Sequence, residues 1–168
     1  MPIIPGKDTE LAFAMISWII ANERYDVRYL TAPGKKAAAA VGEPTWSDAT
    51  HLVAVDLPSK PIVTAKLLGR SNMDESARFV FVDGELVAAD ESVLPADLDV
   101  DEAVEINGEF VRVRSVFALL KERVFERSIE EYAEACGIDV ATIEYVSREF
   151  TSHGKRAAIT CYRGPCMH

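Results

Sequence analysis

The chain has 168 residues, 49% of them hydrophobic and 27% charged, which fits one globular domain or two small lobes and excludes a disordered segment. Its 27 acidic and 18 basic residues give a net charge of -9, which disfavours nucleic-acid or membrane-surface binding by bulk charge. The odd set of cysteines, Cys136, Cys161 and Cys166, argues against a disulfide framework, and the longest apolar stretch, Leu11 to Ile20, is too short to cross a bilayer.

In chain order, the spacing predicts a helix over 8–25 with Asp8 as its cap. Leu11, Met15, Trp18 and Ile19 form one apolar stripe, which Ala12, Phe13, Ile16 and Ile20 widen, so the helix is expected to be largely buried. A short second helix starts near Tyr25 and runs to Leu30. Thr31 to Glu43 reads as a connector, broken at Pro33-Gly34 and carrying four alanines at 37–40. A new element begins at Thr45, and His51 to Asp56 reads as a strand stopped by Pro58 and Pro61. Two hairpins follow, turning at Asp83-Gly84 and Asn107-Gly108, both strong two-residue turn pairs.

Ser115 to Glu126 is helical, with Val116, Leu119, Leu120 and Val124 on one side. Ser128-Ile129-Glu130-Glu131 is a capping box opening a helix that ends before Gly137. Asp139 caps a further helix over 140–152, with Ile143, Val146 and Phe150 inward and Gly154 just beyond its end. Ala157 to Tyr162 reads as a buried strand. The fold class is therefore α/β: a partial parallel sheet with flanking helices plus a small antiparallel hairpin insertion. The expected organisation is 1–57 as the first part of the α/β domain, 58–114 as the hairpin insertion and 115–168 as the returning helical segment and strand. The first helix lacks a preceding strand and the last strand a following helix, so the unit reads as cut at both ends.

Few residues suggest chemistry by themselves. Ile4-Pro5-Gly6-Lys7-Asp8 leads directly into a helix. Gly6 can admit a ligand close to the backbone, and helix N-terminal amides favour anions, though an ordinary helix start after a turn uses the same residues. Arg163-Gly164-Pro165 follows the last predicted strand, where α/β sheets bind ligands; a simple strand stop is the other reading. Cys161, Cys166 and His168 lie close together, but their spacing is not that of a zinc site, and free thiols are the plainer reading. His153 fits a basic helix end, and His51 shows no partner in the sequence. No P-loop, dinucleotide fingerprint or nucleophile elbow occurs, so no set of residues here can run a reaction unaided.

Two stretches resemble the molybdopterin oxidoreductases of the dimethyl-sulfoxide reductase family. Ile4-Pro5-Gly6-Lys7-Asp8, with Leu11 to Ile20 and Tyr25-Asp26, is similar to that family's Pro-Gly-Thr-Asp loop and following helix, with Lys7 in place of the usual Thr. Ile129 to Ala133, Cys136-Gly137, Ile143 and Arg148 to Ala157 resemble the branch holding the tetrathionate, thiosulfate and arsenate reductase large subunits. Arg163-Gly164-Pro165 with His168 resembles the start of that branch's next cofactor loop.

The resemblance implies a segment of a catalytic subunit that reduces tetrathionate or a related sulfur oxoanion. Its cofactor would be molybdenum-bis(molybdopterin guanine dinucleotide), and the protein's part is to bind and orient it. Gly6, Lys7 and Asp8 would lie at one nucleotide portion; Arg163, Gly164 and His168 would approach the pterin or phosphate side. The resemblance further implies a [4Fe-4S] centre and the molybdenum ligand outside this chain, and hence a fragment without metal or turnover. The implied partners are the rest of the catalytic subunit, an iron–sulfur electron-transfer subunit, plus a membrane anchor subunit, in a periplasmic enzyme exported by a twin-arginine signal. A free-standing α/β binding or interaction module without redox activity is the alternative.

Overall fold

The computed structural model describes residues 3–159. The chain forms two compact units. One comprises the residues up to Tyr25 with those from Lys121 onward; the other is Asp26–Leu120.

The first unit is helical. Helix α1 spans Asp8–Ala21, α5 spans Ile129–Cys136 and α6 spans Val140–Ser152, and the three pack on one another. Their core holds Ala14, Tyr132, Ala133, Cys136, Ile138 and Ile143. Phe13 meets Tyr132 edge to face, with ring centroids 6.3 Å apart. The capping box is present: Glu131 N–H donates to Ser128 Oγ at 3.2 Å, and Ser128 N–H donates to the Glu131 carboxylate at 2.7 Å. Gly137 takes a left-handed φ of 67°, and Asp139 caps α6 by accepting from Thr142 N–H at 2.8 Å.

The first helix differs from expectation at both ends. Lys7, not Asp8, holds the N-cap position, and no side chain caps it. Asp8 is already helical, which leaves its carboxylate to act on the dipole rather than on a free amide. The helix stops at Ala21 instead of Tyr25 because Glu23 adopts φ 51°, which no right-handed helix continues. Its burial is partial: Ala14, Ser17 and Trp18 are buried, Ala12 is exposed and the rest of the stripe is half-buried.

The second unit opens with α2, Val27–Leu30, capped by Asp26. The connector expected over 31–43 contains a helix, α3, over Lys35–Ala40. Alanine is the strongest helix former, and Ala37 and Ala38 pack with Ala32 as a small core. Thr45 to Asp48 is irregular, with bends at Thr45 and Asp48, instead of a new element. Strand β1 is shorter than expected, Leu52–Ala54. Both hairpins form: β2, Phe79–Val82, with β3, Glu85–Ala88, and β4, Asp101–Ile106, with β5, Glu109–Ser115. Asp83 and Gly84, then Asn107 and Gly108, all have positive φ, as a type I′ turn requires.

The sheet orders are β1-β5-β4 and β2-β3. Every strand pairing among the described residues is antiparallel, so the mixed α/β class holds but the partial parallel sheet does not. Two-residue turns can only produce antiparallel neighbours, and β1 joins β5 antiparallel. The strand expected over 157–162 is absent in its described part: Ala157 to Ile159 carry no strand, and Ile159 is 64% exposed. Residues 160–162 lie outside the described residues.

Phe79 and Phe81 face one core with Leu52, Val63 and Val113, while Val80 and Val82 face another with Ala89 and Ala96. Strand β2 is thus covered on both faces, which explains its unbroken apolar run. Helix α4, Val116–Val124, follows β5 directly. Ser115 belongs to the strand, and the buried residues of α4 are Phe117, Ala118 and Val124, with Leu120 exposed. No helix among the described residues is long and apolar enough to cross a membrane.

Candidate functional site at the start of α1

Ile4-Pro5-Gly6-Lys7 makes a tight turn into α1, with Lys7 N–H donating to Ile4 O at 3.1 Å. Proline second and a glycine with φ 80° third are the pattern of a type II turn, which a side chain at Gly6 would strain. No atom lies within 4 Å of where a Gly6 Cβ would stand, so the turn is open to approach from outside. Its base is fixed to α5: Ile4 N–H donates to Cys136 O at 3.0 Å, and the Cys136 thiol donates to Lys7 O at 3.7 Å. Burial, helped by Glu10, pushes the Cys136 thiol above its ordinary value, so it serves as packing and not as a nucleophile.

The sequence from Leu11 onward repeats with helical period, while Pro5-Gly6 cannot, so the first turn of α1 leaves its amides without side-chain caps. Lys7 Nζ pairs with Glu10 at 3.0 Å. That hydrogen bond, and Glu10's own backbone amide, hold the Glu10 carboxyl below the usual carboxylate range. Gly6, Thr9, Glu10 and Phe13 line a cavity of about 320 Å³ together with Arg123, Glu126, Arg127 and Tyr132. Arg123 is paired with Glu126 and lies 5.7 Å from the Phe13 ring centroid. This surface combines an open backbone turn and a helix N-terminus with two cationic side chains, Arg123 and Arg127, and two carboxylates, Glu10 and Glu126. Among the described residues no group of three or more His, Cys, Asp or Glu is placed to hold a metal ion.

Of the residues singled out from the sequence, Gly6, Lys7 and Asp8 are consecutive at this turn, with Gly6 on the cavity wall. Arg163, Gly164 and His168, with Cys161 and Cys166, lie outside the described residues. His153 sits at the end of α6, 3.8 Å from Glu149. Sequence reasoning missed Tyr132, Arg123 and Arg127. The capping box does place Tyr132 on the apolar face of α5 with Ala133 and Cys136, but nothing in one dimension brings that face to Gly6.

It also missed His51, which has partners after all. In the Asp26–Leu120 unit the His51 ring is 2% exposed, with Nε2 3.0 Å from Pro33 O and Nδ1 3.4 Å from Arg78 Nη1. A carbonyl and a guanidinium fix the tautomer: Nε2–H donates and Nδ1 accepts. Burial, together with the Arg78 charge and against the Pro33 carbonyl, holds His51 below the ordinary histidine range. It borders a cavity of about 530 Å³ with Trp46, Thr64, Arg78 and Asp90.

Comparison with known proteins gives the family. No family model matches the chain. It is 37% identical over 171 residues to the catalytic subunit of selenate reductase from Mesobacillus selenatarsenatis, an alignment covering 100% of this chain and 16% of that protein. It is 37% identical over 168 residues to the catalytic subunit of tetrathionate reductase from Salmonella typhimurium, covering 97% and 16%. To the corresponding tetrathionate reductase subunit of Archaeoglobus fulgidus it is 32% identical over 168 residues, covering 100% and 14%. The chain belongs to the molybdopterin oxidoreductase catalytic subunits. Within them it corresponds to a segment of the selenate and tetrathionate reductases, about one-sixth of the length of these relatives.

Proposed function

We propose that this chain supplies part of the cofactor cleft of a reductase acting on tetrathionate or a related oxoanion of sulfur or its neighbour selenium. The observation that carries the reading is the end-to-end match to catalytic subunits named for those two oxoanions. In the intact protein the cofactor is molybdenum-bis(molybdopterin guanine dinucleotide). Gly6, Lys7 and Asp8 stand at one nucleotide portion, and Arg163, Gly164 and His168 at the pterin or phosphate side. The open Gly6 turn and uncapped first turn of α1 fit a phosphate; the described residues hold no cluster fit for the metal itself. When bound, the cofactor supplies the electron transfer. This chain's part is to hold the nucleotide: Gly6 lets it approach the backbone, and Lys7, in its ion pair with Glu10, stands beside the turn. The intact enzyme works with an iron–sulfur partner and a membrane anchor, outside the cytoplasm.

Reduction of tetrathionate adds two electrons, breaks the central S–S bond and leaves two thiosulfates. The test uses the intact catalytic subunit with its electron-donating partner and reduced viologen as donor. The expected outcome is stoichiometric molybdenum, guanine nucleotide released on acid hydrolysis, and viologen oxidation dependent on tetrathionate or selenate. A purified, folded protein with neither molybdenum nor guanine nucleotide would refute the proposal.

A further inference from the structure

We infer that the free edge of β4 receives an extended, lysine- or arginine-bearing segment of the same catalytic subunit from outside this chain, added as a further strand of the sheet. In the order β1-β5-β4, strand β4 lies at the edge. Ile106 and Glu109 flank a two-residue turn and so form a hydrogen-bonded pair. Alternation then turns the main-chain groups of Asp101, Ala103 and Glu105 away from β5. The partner strand shows the same alternation. Arg112, paired with Ala103, turns its own main chain to the β1 side, where its carbonyl accepts from Val55 N–H at 3.0 Å and its N–H donates to Asp56 at 3.1 Å. On the β4 edge no described residue takes up the N–H and C=O groups of Ala103 and Glu105, and both residues are exposed. A row of such groups is a template for another strand.

The surface beside this edge favours a cationic strand. A cavity of about 580 Å³ borders Asp101, Glu102 and Ala103, with Phe81 and Gly84 of the other hairpin also on its wall. A second, of about 470 Å³, borders Val104 and Glu105 together with Leu86. Phe110 is 79% exposed and stands across from Glu105, an apolar neighbour for an incoming side chain. No Lys, Arg or His occurs over 79–111, and Asp97, Asp99, Asp101 and Glu102 all line the larger cavity. Asp101 is engaged by Arg112 and Arg114, and Asp97 accepts from Gly84 N–H. Glu102 and Glu105 form no ion pair among the described residues; Arg70, which borders the smaller cavity, is stacked over the Phe79 ring at 4.7 Å. A second copy of this edge is the wrong occupant, because antiparallel pairing about Ala103 sets Asp101 against Glu105, like charge on like. A basic strand is the electrostatic complement. The chain spans about one-sixth of the length of its reductase relatives, so most of the polypeptide able to supply that strand lies in the rest of the subunit. This source rests on the function proposed above, which takes the chain as a segment of such a subunit.

The test follows hydrogen exchange over β4, resolved to single amides, in this chain and in the intact catalytic subunit purified without its partners. Ala103 and Glu105 should exchange fast in the chain and slow by roughly hundredfold or more in the intact subunit, while Val104 and Ile106, bonded to β5, are protected in both. Exchange at Ala103 that stays fast in the intact subunit, or slows only when the iron–sulfur partner is added, overturns the inference. On the chain alone the probe is a Lys-Val-Lys-Val-Lys-Val peptide, with its Glu-Val counterpart as control. The lysine peptide should slow both amides and bind more weakly as salt rises; the glutamate peptide should do neither. Glu102→Gln combined with Glu105→Gln should weaken the lysine peptide by about tenfold. Ala103→Pro removes an outward N–H without touching the ladder to β5, and should weaken it at least as much; thermal melting checks that each variant is folded. Equal binding of the two peptides, or unchanged binding in the double variant, overturns the inference. Molybdenum and guanine nucleotide are measured on the same intact preparation. An open edge in a cofactor-loaded subunit sinks this inference alone, and a protected edge in a folded subunit without either sinks the proposed function alone.

Discussion

Gly137 is the position where one methyl group tests the packing beneath the α1 turn. Its φ of 67° is left-handed, and an added Cβ would stand 3.0 Å from Ile4 Cγ1 and 3.1 Å from Ile4 Cδ1. The left-handed conformation costs a non-glycine residue about 1–2 kcal/mol. The contact adds less, because Ile4 is 47% exposed and can swing aside. Gly154 is the matched control, with φ 53° and nothing within 4 Å of its Cβ position. Gly137→Ala should therefore lower the melting temperature by about 2–8 °C at roughly 2–4 °C per kcal/mol for a chain of this size. Gly154→Ala should lower it by less, since only the backbone cost applies. Denaturant unfolding read from Trp18 fluorescence, in a Trp46→Phe background, should give a lower midpoint with an unchanged slope. Equal or greater destabilisation by Gly154→Ala would refute the argument that Ile4 packs over Gly137.

Three further outcomes follow from the geometry. Because burial and Arg78 hold the folded His51 low, its contribution to stability is complete above the unfolded value near pH 6.5 and is lost as pH falls towards the folded value; the slope reaches at most about 1.4 kcal/mol per pH unit, and denaturation midpoints between about pH 5 and 7 should flatten in His51→Gln. Phe79→Ala empties a fully buried position of the Asp26–Leu120 unit and should cost about 3–5 kcal/mol, read from the Trp46 transition. Ser128→Ala removes the acceptor half of the capping box and should cost about 1 kcal/mol by denaturant unfolding, with Ser128→Gly costing less.

Local chemistry was legible wherever a feature closes within a few residues. The pairs Asp83-Gly84 and Asn107-Gly108 specify their hairpins because positive φ and strand twist are properties of adjacent residues. Ser128 with Glu131, and Asp139 with Thr142, define helix starts for the same reason. The resemblance at both ends of the chain pointed to the reductase family, and the known relatives bear it out. Strand direction was not legible. An apolar run such as Phe79 to Val82 records burial on both faces without recording which neighbour covers it.

By itself, then, the sequence determined the hairpins, the capped starts of α5 and α6 and the family, since each depends on residues a few positions apart or on a run that can be matched directly. Tertiary structure alone decided that the sheets are antiparallel, that His51 is locked between Pro33 and Arg78, and that Tyr132 meets the cavity beside Gly6 from a part of the chain far away in sequence. Those outcomes arise from burial and hydrogen bonding between distant segments, and no local pattern encodes which distant segment will be the partner.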